Sequence, residues 1–146
     1  GEFQFGYQVM TTTNRPGFPQ NAGATFADPQ SYTIQVSNSG SSAYTMTGTD
    51  RLGSVSGNNP TITINRGDTV SFVVNAGGHP FYIKTERTIG DSDLYNNGVT
   101  GQGTEVGTVI FRVPTEPIPD NLFYVSGNST YGLNNTAKMS GILHIP

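Results

Sequence analysis

Apolar side chains in this chain recur at every second position, in runs too short to be anything but strands. In residues 69–74, Val70, Phe72 and Val74 share one parity, and in the run Phe81-Tyr82-Ile83-Lys84 so do Phe81 and Ile83. Successive side chains of a strand point to opposite faces, so each run buries one face and leaves the other half-covered. The same pattern recurs in residues 32–36, 43–47 and 61–64, in 107–114 with Val109, Phe111 and Val113 inward, in 122–126, and in 139–145 with Leu143 and Ile145 inward. Turn-forming residues separate the runs: Ser37-Asn38-Ser39-Gly40, a Gly-rich break through Gly57-Asn58-Asn59-Pro60, and Asn65-Arg66-Gly67-Asp68. Eight short strands at this spacing predict an all-β antiparallel sandwich or barrel. Residues 85–105 join two of them as a loop of about twenty residues, a length that in compact domains is often functional.

Residues 1–30 read differently and are expected to form an extended arm ahead of a domain spanning 31–146. Phe3, Phe5, Tyr7 and Val9 alternate on one side of a run that cannot bury that side alone. Arg15-Pro16-Gly17-Phe18-Pro19 follows, and each proline biases its predecessor to an extended conformation. Three readings stay open: the arm packs on its own domain as an extra edge strand, it reaches a neighbouring subunit, or it is disordered. Phe3, Phe5, Tyr7, Val9 and Phe18 are the candidate partner-binding residues.

Only 12% of the 146 residues are charged and the net charge is −3, too little and of the wrong sign for a nucleic-acid backbone. No apolar run reaches the length of a membrane span. The first residues lack the basic stretch and apolar run of a secretory leader, so none is expected in this form. There is no cysteine, which removes disulfides, thiolate chemistry and Cys-based metal sites. The polar, Lys-poor composition fits an extracellular or virion-surface protein.

The chemistry turns on Gly77-Gly78-His79-Pro80-Phe81-Tyr82-Ile83, a strand, a glycine turn and a histidine before Pro and aromatic residues. Four more segments follow or precede it in order: Gly67-Asp68-Thr69-Val70 with Phe72, Gly107-Thr108 with Phe111, Val113 and Pro114, Leu122-Phe123-Tyr124, and Met139 with Gly141, Leu143 and Ile145. Together they resemble the cupredoxin-like domain found in marine bacterial and phage proteins, over roughly residues 32–145. The resemblance implies a Greek-key β-sandwich of about eight strands. In copper-binding members it also implies a site made of the turn histidine, a cysteine, a second histidine and a methionine, a donor set that suits copper in both oxidation states. Here Ser126 stands where the cysteine would be, and no histidine lies between Ser126 and Met139. The intervening segment, 127–138, is longer than the family spacing. His79, Ser126 and Met139 are therefore expected to mark a vestigial site with no metal and no cofactor. His144 has the opposite parity to Met139 and should face away from it. His79 is expected to be a structural turn residue bonded to Ser126 or to backbone, and Met139 a core residue.

Other strings carry less. His79 with Ser126 lacks a nucleophile elbow and a placed acid, so no catalytic residue is assigned and no enzyme is expected. Arg66-Gly67-Asp68 matches an adhesion tripeptide but sits in a turn. Asp91-Ser92-Asp93 lacks the full pattern of a hand-type calcium loop. Asn128-Ser129-Thr130 and Asn134-Asn135-Thr136 match glycosylation strings. Tyr95, Tyr131 and Phe18 are candidate sugar-stacking aromatics. Three function classes follow. The first is a non-enzymatic structural or interaction module, a subunit of an extracellular or virion-surface assembly (a capsid decoration or appendage protein) docking through its arm. The second is a copper-binding electron carrier, and the third a carbohydrate- or cell-surface-binding module.

Overall fold

A computed structural model describes residues 28–146; the arm residues Phe3, Phe5, Tyr7, Val9 and Phe18 lie outside the described residues. The described chain is all-β and forms two sheets. Its strands are β1 (Ser31–Ser39), β2 (Ala43–Asp50), β3 (Gly53–Asn58), β4 (Ile62–Thr63), β5 (Thr69–Asn75), β6 (Phe81–Lys84), β7 (Val99–Thr100), β8 (Val106–Arg112), β9 (Asn121–Ser126) and β10 (Ser140–His144). One sheet runs β3-β2-β1-β5-β8-β7 and the other β4-β10-β9-β6. No described helix is long and apolar enough to cross a membrane.

The period-two reading placed the core correctly. Val70, Phe72, Phe81, Ile83, Val109, Phe111 and Leu143 are fully buried, and Val74, Val113 and Ile145 nearly so. They interdigitate with Ile34, Tyr44, Met46, Leu122 and Tyr124 between the two sheets, as the inner faces of a sandwich do. The strand order and the crossing of the chain from one sheet to the other make this the cupredoxin-like Greek-key sandwich that the motif order implied.

Two expectations need correction. The sandwich is not purely antiparallel: β1 pairs with β5 in parallel, Ile34 opposite Phe72, and β10 pairs with β4 in parallel. The chain crosses between sheets after β3, β4, β5, β6 and β8, so strands distant in sequence become neighbours running the same way. The described residues also hold ten strands rather than about eight. β3 falls in the presumed Gly-rich break, where Val55 is the one apolar residue available to mark an inward face. β7 falls inside the presumed loop of 85–105.

That loop is built rather than loose. Gln102 accepts the Ile83 amide through Oε1 at 2.8 Å and donates through Nε2 to the carbonyls of Ile83 and Tyr95 at 3.0 and 2.9 Å. One side chain thus supplies β6 with the hydrogen bonds a neighbouring strand would give. Single bridges Phe81–Thr104 and Lys84–Leu94 flank it.

Candidate functional site

The site is assembled by the β5–β6 turn and the end of β9. Gly78, in the left-handed region at φ 83°, lets the chain reverse, and the His79 amide closes the turn on the Ala76 carbonyl at 3.0 Å. In the second sheet, Phe81 lies opposite Ser126. The Ser126 amide donates to the Met139 carbonyl at 3.0 Å, and the Gly127 amide to the Pro80 carbonyl at 3.0 Å. The register therefore brings the His79 turn, Ser126 and Met139 to one corner.

A fourth residue organises that corner, and sequence reasoning treated it only as a strand position. Tyr44 of β2 is fully buried, and its hydroxyl donates to the His79 carbonyl at 2.8 Å. Its ring meets Phe81 edge-on at 5.0 Å, and Phe81 stacks on Tyr124 at 5.7 Å. Burial raises the Tyr44 phenol above its ordinary range, partly offset by the Ser126 side chain. Nothing local in the sequence marks Tyr44 for this role; only the packing of one sheet on the other does.

His79 differs from expectation in one respect. Its main chain is bonded, but its ring Nδ1 is buried and finds no hydrogen-bond partner among the described residues. Ser126 is engaged elsewhere, as acceptor of the Asn128 amide at 3.3 Å. His79 and Ser126 thus form no nucleophile–base pair, and Ser126 is fully buried. Met139 is buried in the core as expected. His144 is half-buried on the other side of β10, with Nδ1 2.9 Å from Asn121 Oδ1.

These residues do not fit copper. The orphaned Nδ1 is one imidazole donor. The thiolate position holds a hydroxyl that is a weak copper ligand and is already hydrogen-bonded, and the second imidazole is missing. Among the described residues no three His, Cys, Asp or Glu side chains converge. The 127–138 segment instead closes the corner. Asn128 Nδ2 donates to the Gly78 carbonyl at 2.7 Å, and Ser129 Oγ accepts the Met139 amide at 2.9 Å. On its other side the segment is tied to the long loop, by the Gly90 amide to the Gly127 carbonyl and the Ala137 amide to the Arg87 carbonyl, both at 3.0 Å.

The remaining candidates are occupied by the fold. Lys84, fully buried, donates to the carbonyls of Thr88 and Gly90 at 2.6 and 2.7 Å. An intramolecular ammonium thus binds the carbonyls that lead into Asp91-Ser92-Asp93. Desolvation lowers the Lys84 pKa, and nearby Asp93 and Asp91 oppose that shift. Asp68 of the Arg-Gly-Asp string is fully buried. Tyr95 is partly buried and packs edge-on against Phe111 at 5.9 Å. Tyr131 is 45% exposed, with its hydroxyl accepting the Ile89 amide at 3.2 Å.

The fold is a cupredoxin-like sandwich, and its His79–Ser126–Met139 corner is held by hydrogen bonds. No protein-family model and no curated protein matches the chain. Among solved structures the chain is similar to a rusticyanin variant, with TM-score 0.44 and 15% identity, over 89% of this chain and 86% of that one. It is also similar to a variant of the McoA multicopper oxidase from the hyperthermophile Aquifex aeolicus, with TM-score 0.35 and 19% identity, over 83% of this chain and 27% of the oxidase. The fold assignment rests on strand order and register, not on these scores.

Proposed function

We propose that this chain is a non-enzymatic structural and interaction module, a subunit of an extracellular or virion-surface assembly such as a capsid decoration or appendage protein. The observation that carries the reading is the Ser126 corner. The Ser126 hydroxyl stands at the thiolate position and accepts the Asn128 amide, and Asn128 and Ser129 stitch the corner shut. The scaffold is retained while its redox chemistry is gone, which leaves the scaffold's surfaces and the arm as the working parts. The alternating Phe3, Phe5, Tyr7 and Val9 suit strand addition to a neighbour. The phage-leaning resemblance supports the virion context by analogy of fold alone.

Two measurements test this. Adding Cu(II) should give no intense visible absorption band; such a band would overturn the redox-silent reading. Removing residues 1–27, which spares the Asp28 and Gln30 contacts to the domain, should abolish assembly. An unchanged mass together with unchanged particle binding would count against the module.

A further inference from the structure

Among the described residues the sandwich ends in four sheet edges, and three of them are short or covered. β7 and β4 hold two residues each. β6 is closed by Gln102 and the bridges from Thr104 and Leu94. β3 is different. It holds six residues, all exposed except Val55, and pairs with β2 on one side. No other described strand lies on its outer side. Its sequence, Gly53-Ser54-Val55-Ser56-Gly57-Asn58, carries no charge and no proline, the usual means of blocking an edge. Such an edge offers main-chain donors and acceptors to an added strand.

The described chain begins beside this edge. Arg51 Nη2 donates to the Asp28 carbonyl at 2.9 Å, and Arg51 with Leu52 forms the turn between β2 and β3. The described residues therefore begin, at Asp28, at the end where β3 starts. Leu52, at that same turn, is 81% exposed.

We propose that residues 3–9 of the arm add as a further strand to the outer edge of β3 in a second copy of this chain. The inference rests on the assembly reading above and names its partner and surface. The segment matches the edge in length, and Phe3, Phe5, Tyr7 and Val9 would continue the inward row to which Val55 belongs. Residues 10–27 are longer than a tight hairpin connection and long enough to reach a second copy. A hairpin onto the chain's own edge needs a connection of about 2–5 residues. Residues 10–27 can span up to about 60 Å when extended, well beyond the ~30 Å width of a small domain. Exchange of two arms about a two-fold axis covers both edges at once.

Sedimentation and amide hydrogen exchange on the full chain test this. The full chain is expected to be a dimer with slowly exchanging amides across 53–58. Ser54→Lys with Ser56→Lys should give a monomer that loses this protection while keeping its thermal transition. Phe5→Asp with Tyr7→Asp, outside the sandwich, should do the same. A full chain that is monomeric, with β3 protected or not, overturns the proposal. Association lost in the arm variant but kept in the β3 variant removes β3 as the docking edge and leaves arm-mediated assembly standing. Association kept in both variants removes both.

Discussion

Asp68 shows how completely one carboxylate can be committed to a fold. It is fully buried, and Arg51 grips it through Nε and Nη2, both at 3.0 Å. The amides of Gln30 and Asn65 donate to its two oxygens at 3.0 and 2.9 Å. It therefore ties the start of β1, the β2–β3 turn and the turn before β5 into one knot. Asp68→Asn removes the charge and turns an acceptor into a donor facing donors. It should lower stability by about 2–4 kcal/mol, since stripping one partner from a buried pair leaves the other uncompensated; thermal or urea unfolding measures this. Gly141 makes a second residue-scale case. A Cβ there would lie inside the Tyr124 phenol, and Tyr124 is held by its hydroxyl donating to the Pro60 carbonyl at 2.6 Å. Gly141→Ala should cost about 1–3 kcal/mol through forced displacement of the ring, read as a lowered unfolding midpoint. The sequence placed both residues in family motifs. It could not show that Asp68 is a buried hub rather than an exposed ligand, because burial is contributed by Arg51 and residues 28–30, remote in the chain.

At the scale of elements, the strands with large alternating side chains were legible and the others were not. β5, β6 and β8 announce themselves by residues such as Phe72, Ile83 and Phe111. β3 has only Val55 to show an inward face, because an edge strand with an exposed outer side needs few apolar residues. β7 is two residues long and exists because β8 offers it an edge. Gln102 is the same lesson in one side chain: a glutamine in a loop acts as a strand partner only where β6 would otherwise lack one. Gln102→Ala should leave the Ile83 amide and carbonyl without these partners. The expected loss is about 1–3 kcal/mol, with faster hydrogen exchange concentrated at Ile83 and across 94–104 and little change in β1 or β5.

Across the whole molecule, two phenols join the sheets. Tyr44 reaches from the six-stranded sheet to the His79 turn, and Tyr124 from the four-stranded sheet to Pro60 between β3 and β4. Burial raises both pKa values above the ordinary tyrosine range. The folded state therefore keeps both protons at a pH where the unfolded chain releases them, near 10. Their contribution is fully present below about pH 10 and is lost as the pH rises through the folded values. The unfolding midpoint should fall steeply above about pH 10, with phenolate absorbance from Tyr44 and Tyr124 appearing together with loss of the fold. A titration in which all tyrosines ionise while the sandwich stays intact would contradict this.

By itself the sequence determined the all-β class, the inward row of each strongly alternating strand, and the absence of a copper donor set. Each of these depends on residue identity and on spacing of a few positions, and the period-two geometry of a strand converts spacing directly into burial. Tertiary structure alone decided the two parallel pairings, the clamp of Gln102 on β6, the place of β3 at a sheet edge among the described residues, and the use of Tyr44 to hold the His79 turn. Those features join residues far apart in the chain, such as Tyr44 with His79 and Gly78 with Asn128. Local periodicity says which face is buried, but it carries no information about which distant backbone carbonyl will lie against it.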